Sequence, residues 1–320
     1  MKGVRLVAFL SIGFSPKKWS IQENCGNSNG LDIYEELNKL YLRFINKGIE
    51  IENEEKDADE AGAGVCVKYI RFNIKETTVE VKKKFIDDLA EVLYQIISLK
   101  LDGNIINKAI KEKYSYLKKD ESAEICRRCM NILNGDYTSD DELLLYIDKK
   151  SFAINKIVEY LNENTDIILD GFVRFRLKEY FNKIESIVTK VVEEYLVEKE
   201  YNEFIKLLKY FVEMQESIIE IVNILINSEG KYYIYDCNGN DITNELLKDF
   251  AGLYDSRDMN CDDLLISSLI TVAPRYVIIH NLHHTRNKEL INTIKGIFGD
   301  RVKVCYGCEL CISKTPINKL

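Results

Sequence analysis

Prolines are scarce in this sequence, and long apolar runs are missing. The 320 residues include three prolines, Pro16, Pro274 and Pro316. A proline interrupts a helix interior because it lacks the N–H donor and clashes with the preceding turn. Long uninterrupted helices are therefore permitted between the first two prolines. No stretch has the 18 or more consecutive apolar residues that a spanning helix needs, so the sequence predicts no membrane span.

Histidine is also scarce, since the chain has three histidines and all lie in HNLHH, residues 280–284. General acid–base chemistry elsewhere would have to use carboxylates, lysine or tyrosine. The Glu-x-x-His motif of di-iron bundles is absent, as are GxSxG, a Walker loop, HExxH and a complete nucleotide fingerprint. These absences favour a non-enzymatic protein, and an enzyme stays the open alternative.

The overall composition is that of a soluble globular protein, with 46% hydrophobic and 30% charged residues. The net charge of −8 argues against a protein that coats nucleic acid. Nine cysteines, an odd number in a large chain, indicate reduced thiols instead of a disulfide framework. The apolar run near the N-terminus is short and broken by Ser11 and Gly13, so it predicts a first strand and not a signal peptide. We therefore expect a cytoplasmic protein.

The hydrophobic pattern predicts an α+β protein in three segments. Residues 1–75 form an N-terminal α/β segment, residues 76–228 a long helical region, and residues 229–320 a C-terminal α/β segment with a βαβ unit. The end of the helical region predicts either one long helix or two to three helices joined near Glu198–Tyr201. We expect strands from both ends of the chain to meet in one sheet, with the helices packed to one side.

The βαβ unit predicts where the chemically distinctive residues meet. RYVIIHN and RVKVC are β-branched strands, and between them TRNKELINTIKGIF is an amphipathic helix that Thr285 is placed to cap. The two strands should be parallel, so their carboxyl ends lie on one edge of the sheet. That edge brings His280 and Asn281 towards Cys305, and ligands bind at such edges in open α/β sheets.

Four interpretations of this edge stay open. The first is a metal site, with Zn²⁺ favoured because thiolate and imidazole ligands suit it. The second is thiol redox chemistry at the CxxC of Cys305 and Cys308, although this motif follows a strand and does not open a helix. The third is anion binding at the start of the helix, with Asn281, Thr285 and Arg286 as candidate ligands. In the fourth, the cysteines are ordinary buried residues and the histidines are loop residues. The candidate metal ligands are His280, His283, His284, Cys305, Cys308 and Cys311.

The sequence also resembles the YtxC-like sporulation proteins of spore-forming Firmicutes. The resemblance lies in ILDGFVRFRLKEY, VEKEYNEFIKLLKYFVEMQ, LLISSLITVAPRYVIIHN and INTIKGIFGDRVKVCYGCELC, in that order over roughly the last two thirds of the chain. It implies a protein tied to sporulation, and it implies no reaction, ligand or catalytic residue.

These observations predict a sporulation-associated binding or scaffolding protein that presents a helical surface to a protein partner. Nucleic acid is not an expected partner. The alternative is a metal- or anion-dependent protein, which includes an enzyme, with its Cys/His site at the carboxyl ends of the C-terminal parallel strands.

Overall fold

The chain is an α+β protein, as predicted. Its structure, a computed structural model, describes residues 8–15, 33–47, 49–56, 67–74, 78–246 and 261–313. The strands are β1 (Ala8–Phe14), β2 (Ile49–Lys56), β3 (Val67–Ile74), β4 (Asp166–Ile168), β5 (Ile221–Ile226), β6 (Tyr232–Tyr235), β7 (Tyr276–His280) and β8 (Val302–Val304). The helices are α1 (Ile33–Phe44), α2 (Val79–Lys113), α3 (Lys119–Asn134), α4 (Asp140–Glu163), α5 (Leu169–Arg176), α6 (Lys178–Met214), α7 (Cys261–Val272), α8 (Lys288–Phe298) and α9 (Glu309–Ser313).

Two compact units, Met1–Tyr195 and Leu196–Leu320, make up the chain. The strand order is β2-β3-β1-β4 in the sheet of the first unit and β6-β5-β7-β8 in that of the second. The expectation that strands from both ends share one sheet is therefore wrong. The first sheet obtains its fourth strand from β4, which runs parallel to β1 with Ser11 opposite Asp166. The division into segments that end at residues 75 and 228 stays a prediction.

The long helices of the first unit have clear starting signals. α2 begins after Thr78, whose Oγ1 accepts a hydrogen bond from the backbone N–H of Val81 at 3.3 Å. α4 begins after Ser139, which forms a capping box with Glu142. These caps satisfy N–H groups that the first helical turn leaves without intrahelical partners. No helix in the described ranges is both long enough and apolar enough to cross a membrane.

Strand β5 lies inside the region that the sequence predicted to be helical, so that prediction is wrong at its C-terminal end. The segment IVNILI is almost continuously apolar, and such a run does not distinguish a buried strand from a buried helix by periodicity. β5 is buried because β6 and β7 pair with it on either side. α6 continues unbroken through Glu198–Tyr201, so the predicted turns there are not formed, but the run as a whole comprises α5, α6 and β5 and is not one long helix.

The second unit contains the predicted βαβ arrangement. β7 pairs with β8 in parallel, with Ile278 opposite Lys303, and β5 pairs with β7 in parallel on the other side. α8 connects β7 to β8 and buries Leu290, Ile294 and Phe298 in the core of this unit. The expected cap at Thr285 is wrong. Asn287 caps α8, because its Oδ1 accepts hydrogen bonds from the backbone N–H groups of Glu289 and Leu290, at 2.9 and 3.2 Å.

Candidate metal centre

The carboxyl ends of β7 and β8 bring a histidine and three cysteines together. His280 is the last residue of β7, and Cys305 follows β8 directly. The backbone N–H of Cys305 donates to the carbonyl oxygen of Ile279 at 2.8 Å, which continues the parallel pairing up to these two residues. The topology predicted from the sequence therefore delivers the imidazole and the first thiol to the same edge.

A tight turn returns the other two thiols to this edge. Gly307 has a φ of 140°, a conformation that favours glycine, and its N–H donates to the Sγ of Cys305 at 3.4 Å. The short helix α9 begins directly after Cys308, so Cys308 and Cys311 lie about one turn apart on the same side. The CxxC follows β8, as the sequence indicates, but the expectation that the motif does not open a helix is wrong at Cys308, because α9 begins directly after it.

The four ligand atoms have the spacing of a tetrahedral metal site. The Nδ1 of His280 lies 3.4 Å from the Sγ of Cys308 and 3.4 Å from that of Cys311. The Sγ of Cys311 lies 3.7 Å from that of Cys308 and 3.8 Å from that of Cys305, and all four atoms lie within 4.8 Å of one another. Zinc bonds of about 2.3 Å to sulfur and 2.0 Å to nitrogen would separate tetrahedral ligands by about 3.8 and 3.5 Å. The arrangement therefore suits Zn²⁺ without a large rearrangement.

Asn223 holds the imidazole of His280 in the orientation that a ligand needs. Its Oδ1 lies 3.1 Å from the Nε2 of His280, and its Nδ2 donates to the carbonyl oxygen of Asp236 at 2.9 Å. Because the amide oxygen can only accept, this contact places the imidazole proton on Nε2 and directs the Nδ1 lone pair at the sulfurs. Sequence reasoning missed Asn223 because β5, on which it lies, was read as helix.

Burial and hydrogen bonding shift the pKa values of the cluster in different directions. His280 is buried, and burial lowers its pKa. Burial raises the pKa of Cys308, but hydrogen bonds from the backbone of Cys311 and from neighbouring thiols outweigh it, so the net pKa is lowered. Burial raises the pKa of Cys311 to about 11. A bound cation would stabilise the thiolate of Cys311 in turn, because metals bind the deprotonated form.

The other two histidines lie outside this cluster. The rings of His283 and His284 have centroids 4.1 Å apart. The Nδ1 of His284 lies 3.3 Å from the carbonyl oxygen of Ile226, at the end of β5. Of the predicted metal ligands, the structure thus brings together His280, Cys305, Cys308 and Cys311.

The predicted anion ligands have other surroundings. Asn281 adopts the left-handed conformation, with φ 54° and ψ 42°, where the chain leaves β7. The Oγ1 of Thr285 donates to the carbonyl oxygen of Asn287 at 3.2 Å. Arg286 is exposed and lines a cleft of about 480 Å³ together with Lys231 and Asn287. These positions assemble no buried polar pocket that would define an anion site.

Comparison with known proteins places the chain in a family. The profile of the YtxC-like family matches residues 87–303. The chain belongs to the YtxC-like family. Its sequence is similar to the uncharacterized protein YtxC of Bacillus subtilis (strain 168), with 22% identity over 195 residues, which cover 61% of this chain and 68% of that protein. No solved structure matches the chain. The family match ends before Cys305, so membership in the YtxC-like family carries no statement about the three thiols.

Proposed function

We propose that this chain is a zinc protein in which His280, Cys305, Cys308 and Cys311 hold one structural Zn²⁺. The observation that carries the proposal is the spacing of the four ligand atoms, which agrees with a tetrahedral zinc site. Four protein ligands leave no open position for a water or a substrate, and closed sites of this kind are structural. The metal would therefore fix α9 to the sheet of the second unit.

The first experiment measures metal in untagged protein, because a histidine tag would bind zinc itself. We expect about one zinc per chain in the wild type and less than about a tenth of that in Cys308→Ser and Cys311→Ser. Cys237→Ser is the matched control, since Cys237 is an exposed free thiol outside the cluster. Exchange with Co²⁺ should give the intense visible bands of tetrahedral thiolate coordination. Zinc-free wild type, or iron with inorganic sulfide, would contradict the proposal.

We infer that the protein acts by binding, as a non-enzymatic scaffold for a protein partner in the cytoplasm of a sporulating cell. A closed metal site supports a structural role, and thiolate ligands persist in a reducing compartment. The resemblance to YtxC-like sporulation proteins supports the sporulation setting. Deleting the gene in a spore-forming host should lower the count of heat-resistant spores and leave vegetative growth unchanged. An unchanged spore count would contradict this assignment.

A further inference from the structure

The second half of α6 exposes an unusual concentration of large apolar side chains. Elsewhere in the described ranges such side chains are scattered along the chain, but here they recur every three or four residues. That spacing places most of them on one side of the helix. The set, called the α6 stripe below, comprises Val197, Tyr201, Phe204, Leu207, Tyr210, Phe211 and Met214, and each is at least 45% exposed.

The helix that carries the stripe is firmly held in the second unit. Ile205 and Val212 are buried in the core of this unit, and a Cβ built on Gly296 of α8 would lie 2.9 Å from the Cγ2 of Ile205. The hydroxyl of Tyr201 lies 2.7 Å from the Oγ1 of Thr293. The buried face therefore fixes how the stripe is presented to the outside.

The order of residues in the stripe is nearly symmetric about its centre. Counting outwards from the point between Ile205 and Lys206, the positions pair as Phe204 with Leu207, Tyr201 with Tyr210, and Val197 with Met214. Two copies of the helix packed antiparallel would place these apolar side chains opposite one another. Phe211 would face Glu200, whose aliphatic stem can cover an aromatic ring.

The charges along the stripe also favour antiparallel packing. Residues 197–205 contain three glutamates and one lysine, and residues 206–214 contain two lysines and one glutamate. Parallel packing would oppose the two acidic halves, whereas antiparallel packing brings the acidic half of one helix against the basic half of the other. The acidic half of each copy then lies along the half of the other copy that carries Lys206 and Lys209, which is the arrangement that charge complementarity selects.

We propose that the α6 stripe is a homodimer interface, at which a second copy of this chain packs its own stripe antiparallel. The seven side chains expose on the order of 800 Å² per copy, since a large side chain presents about 200 Å² when fully exposed, and a standard stable interface buries about 800 Å² per partner. A two-fold axis through the centre of the stripe makes the surface self-complementary, as closed dimers require. The dimer does not depend on the proposed zinc site.

Sedimentation velocity of the full chain, as purified, tests the proposal. We expect the wild type to be a dimer at about 10 µM and above, and Phe204→Glu to weaken dimerisation at least about 100-fold, because a buried carboxylate has no partner there. Phe175→Glu is the matched control, since Phe175 is a 68% exposed aromatic on α5 and should leave the dimer intact. Far-UV circular dichroism and thermal unfolding verify that the variants are folded.

A mixing experiment tests the antiparallel arrangement itself. Leu207→Lys should also be monomeric, but mixing it with Phe204→Glu should restore a heterodimer, because residue 204 of one copy faces residue 207 of the other. A wild type that stays monomeric up to about 100 µM would overturn the proposal and assign the stripe to a different partner. Dimers that survive both single substitutions, or variants that fail to associate on mixing, would overturn it as well.

Discussion

Asn223 and His280 lie on neighbouring strands, and the Oδ1 of Asn223 is 3.1 Å from the Nε2 of His280. This contact fixes the tautomer that presents Nδ1 to the thiols. Partners of this kind typically change metal affinity 10–100-fold when they are removed. We therefore predict that Asn223→Leu binds zinc about 10–100-fold more weakly than the wild type, measured by competition with a chromophoric chelator.

The matched control for this prediction is Asn223→Asp. A carboxylate at this position still accepts the proton of Nε2 and raises the basicity of the imidazole. We expect Asn223→Asp to bind zinc at least as tightly as the wild type. Equal affinities for Asn223→Leu and the wild type would show that the contact does not orient the ligand.

Much of this site can be predicted from the sequence, and the omissions have physical causes. His280 and Cys305 follow from two β-branched strands separated by an amphipathic helix, because the βαβ crossover fixes their shared edge. Asn223 could not be predicted, since its strand is apolar on both faces and resembles a buried helix in sequence. The turn at Gly307 and the short helix after it depend on local hydrogen bonds to sulfur. The spacing of apolar residues along the sequence carries no information about such bonds.

Removal of the metal should release α9 from the sheet of the second unit. α9 has five residues, too few for a stable helix without tertiary contacts, and zinc would hold Cys311 within it and Cys308 directly before it. We predict that chelation increases amide hydrogen exchange from Cys305 to Ser313, measured by mass spectrometry, and leaves the exchange of α2 unchanged. Cys237→Ser should behave like the wild type in both states. Unchanged exchange at the C-terminal end after verified zinc loss would contradict the structural role of the metal.

A buried ion pair joins two helices of the first unit, α2 and α4. The Nζ of Lys149 lies 2.7 Å from the Oδ2 of Asp102, and both side chains are almost completely buried. The hydroxyl of Tyr180 donates to the other carboxylate oxygen, and the hydroxyl of Ser98 donates to Oδ2 at 2.5 Å. Burial raises the pKa of Tyr180, so its hydroxyl stays protonated and keeps donating.

Breaking this pair from one side should be costly. Lys149→Met leaves the carboxylate of Asp102 buried without its cation, and we predict a loss of about 3–5 kcal/mol in the free energy of unfolding. The double variant Lys149→Met, Asp102→Asn carries neither charge and should recover most of this loss. Urea denaturation followed by circular dichroism measures both values. A double variant less stable than Lys149→Met would show that the carboxylate contributes independently of the lysine.

The helices themselves were easier to predict than the strands. α2 and α6 are long because their sequences contain no proline, and Thr78 supplies a recognisable cap for α2. A turn near Glu198–Tyr201 was an alternative because polar residues cluster there, but polar residues on an exposed helix face carry no breaking signal. β4 has three residues, too few to show the alternation of apolar and polar residues that indicates a strand. Its pairing with β1 also depends on contacts between residues more than 150 positions apart in the sequence.

A pH dependence of stability should follow from Glu124 on α3. Its carboxylate accepts hydrogen bonds from the Nε and Nη2 of Arg127 at 2.9 and 2.7 Å, and from the Nε of Arg128 at 2.8 Å. These bonds lower the pKa of Glu124 from 4.5 to about 2. Because the folded pKa lies below the unfolded value, the stabilisation is present above about pH 4.5 and is lost as the pH falls towards 2.

We predict that Glu124→Gln reduces the free energy of unfolding at pH 7 by less than about 1 kcal/mol, because a surface ion pair is screened by water. The difference from the wild type should shrink at about pH 3, where the unfolded glutamate is protonated, and in about 1 M salt, where the Debye length is about 3 Å. Urea denaturation of both proteins at the two pH values and two salt concentrations measures this. A difference that grows on acidification would mean that Glu124 is not stabilised by the two arginines, because the sign of the linkage would then be reversed.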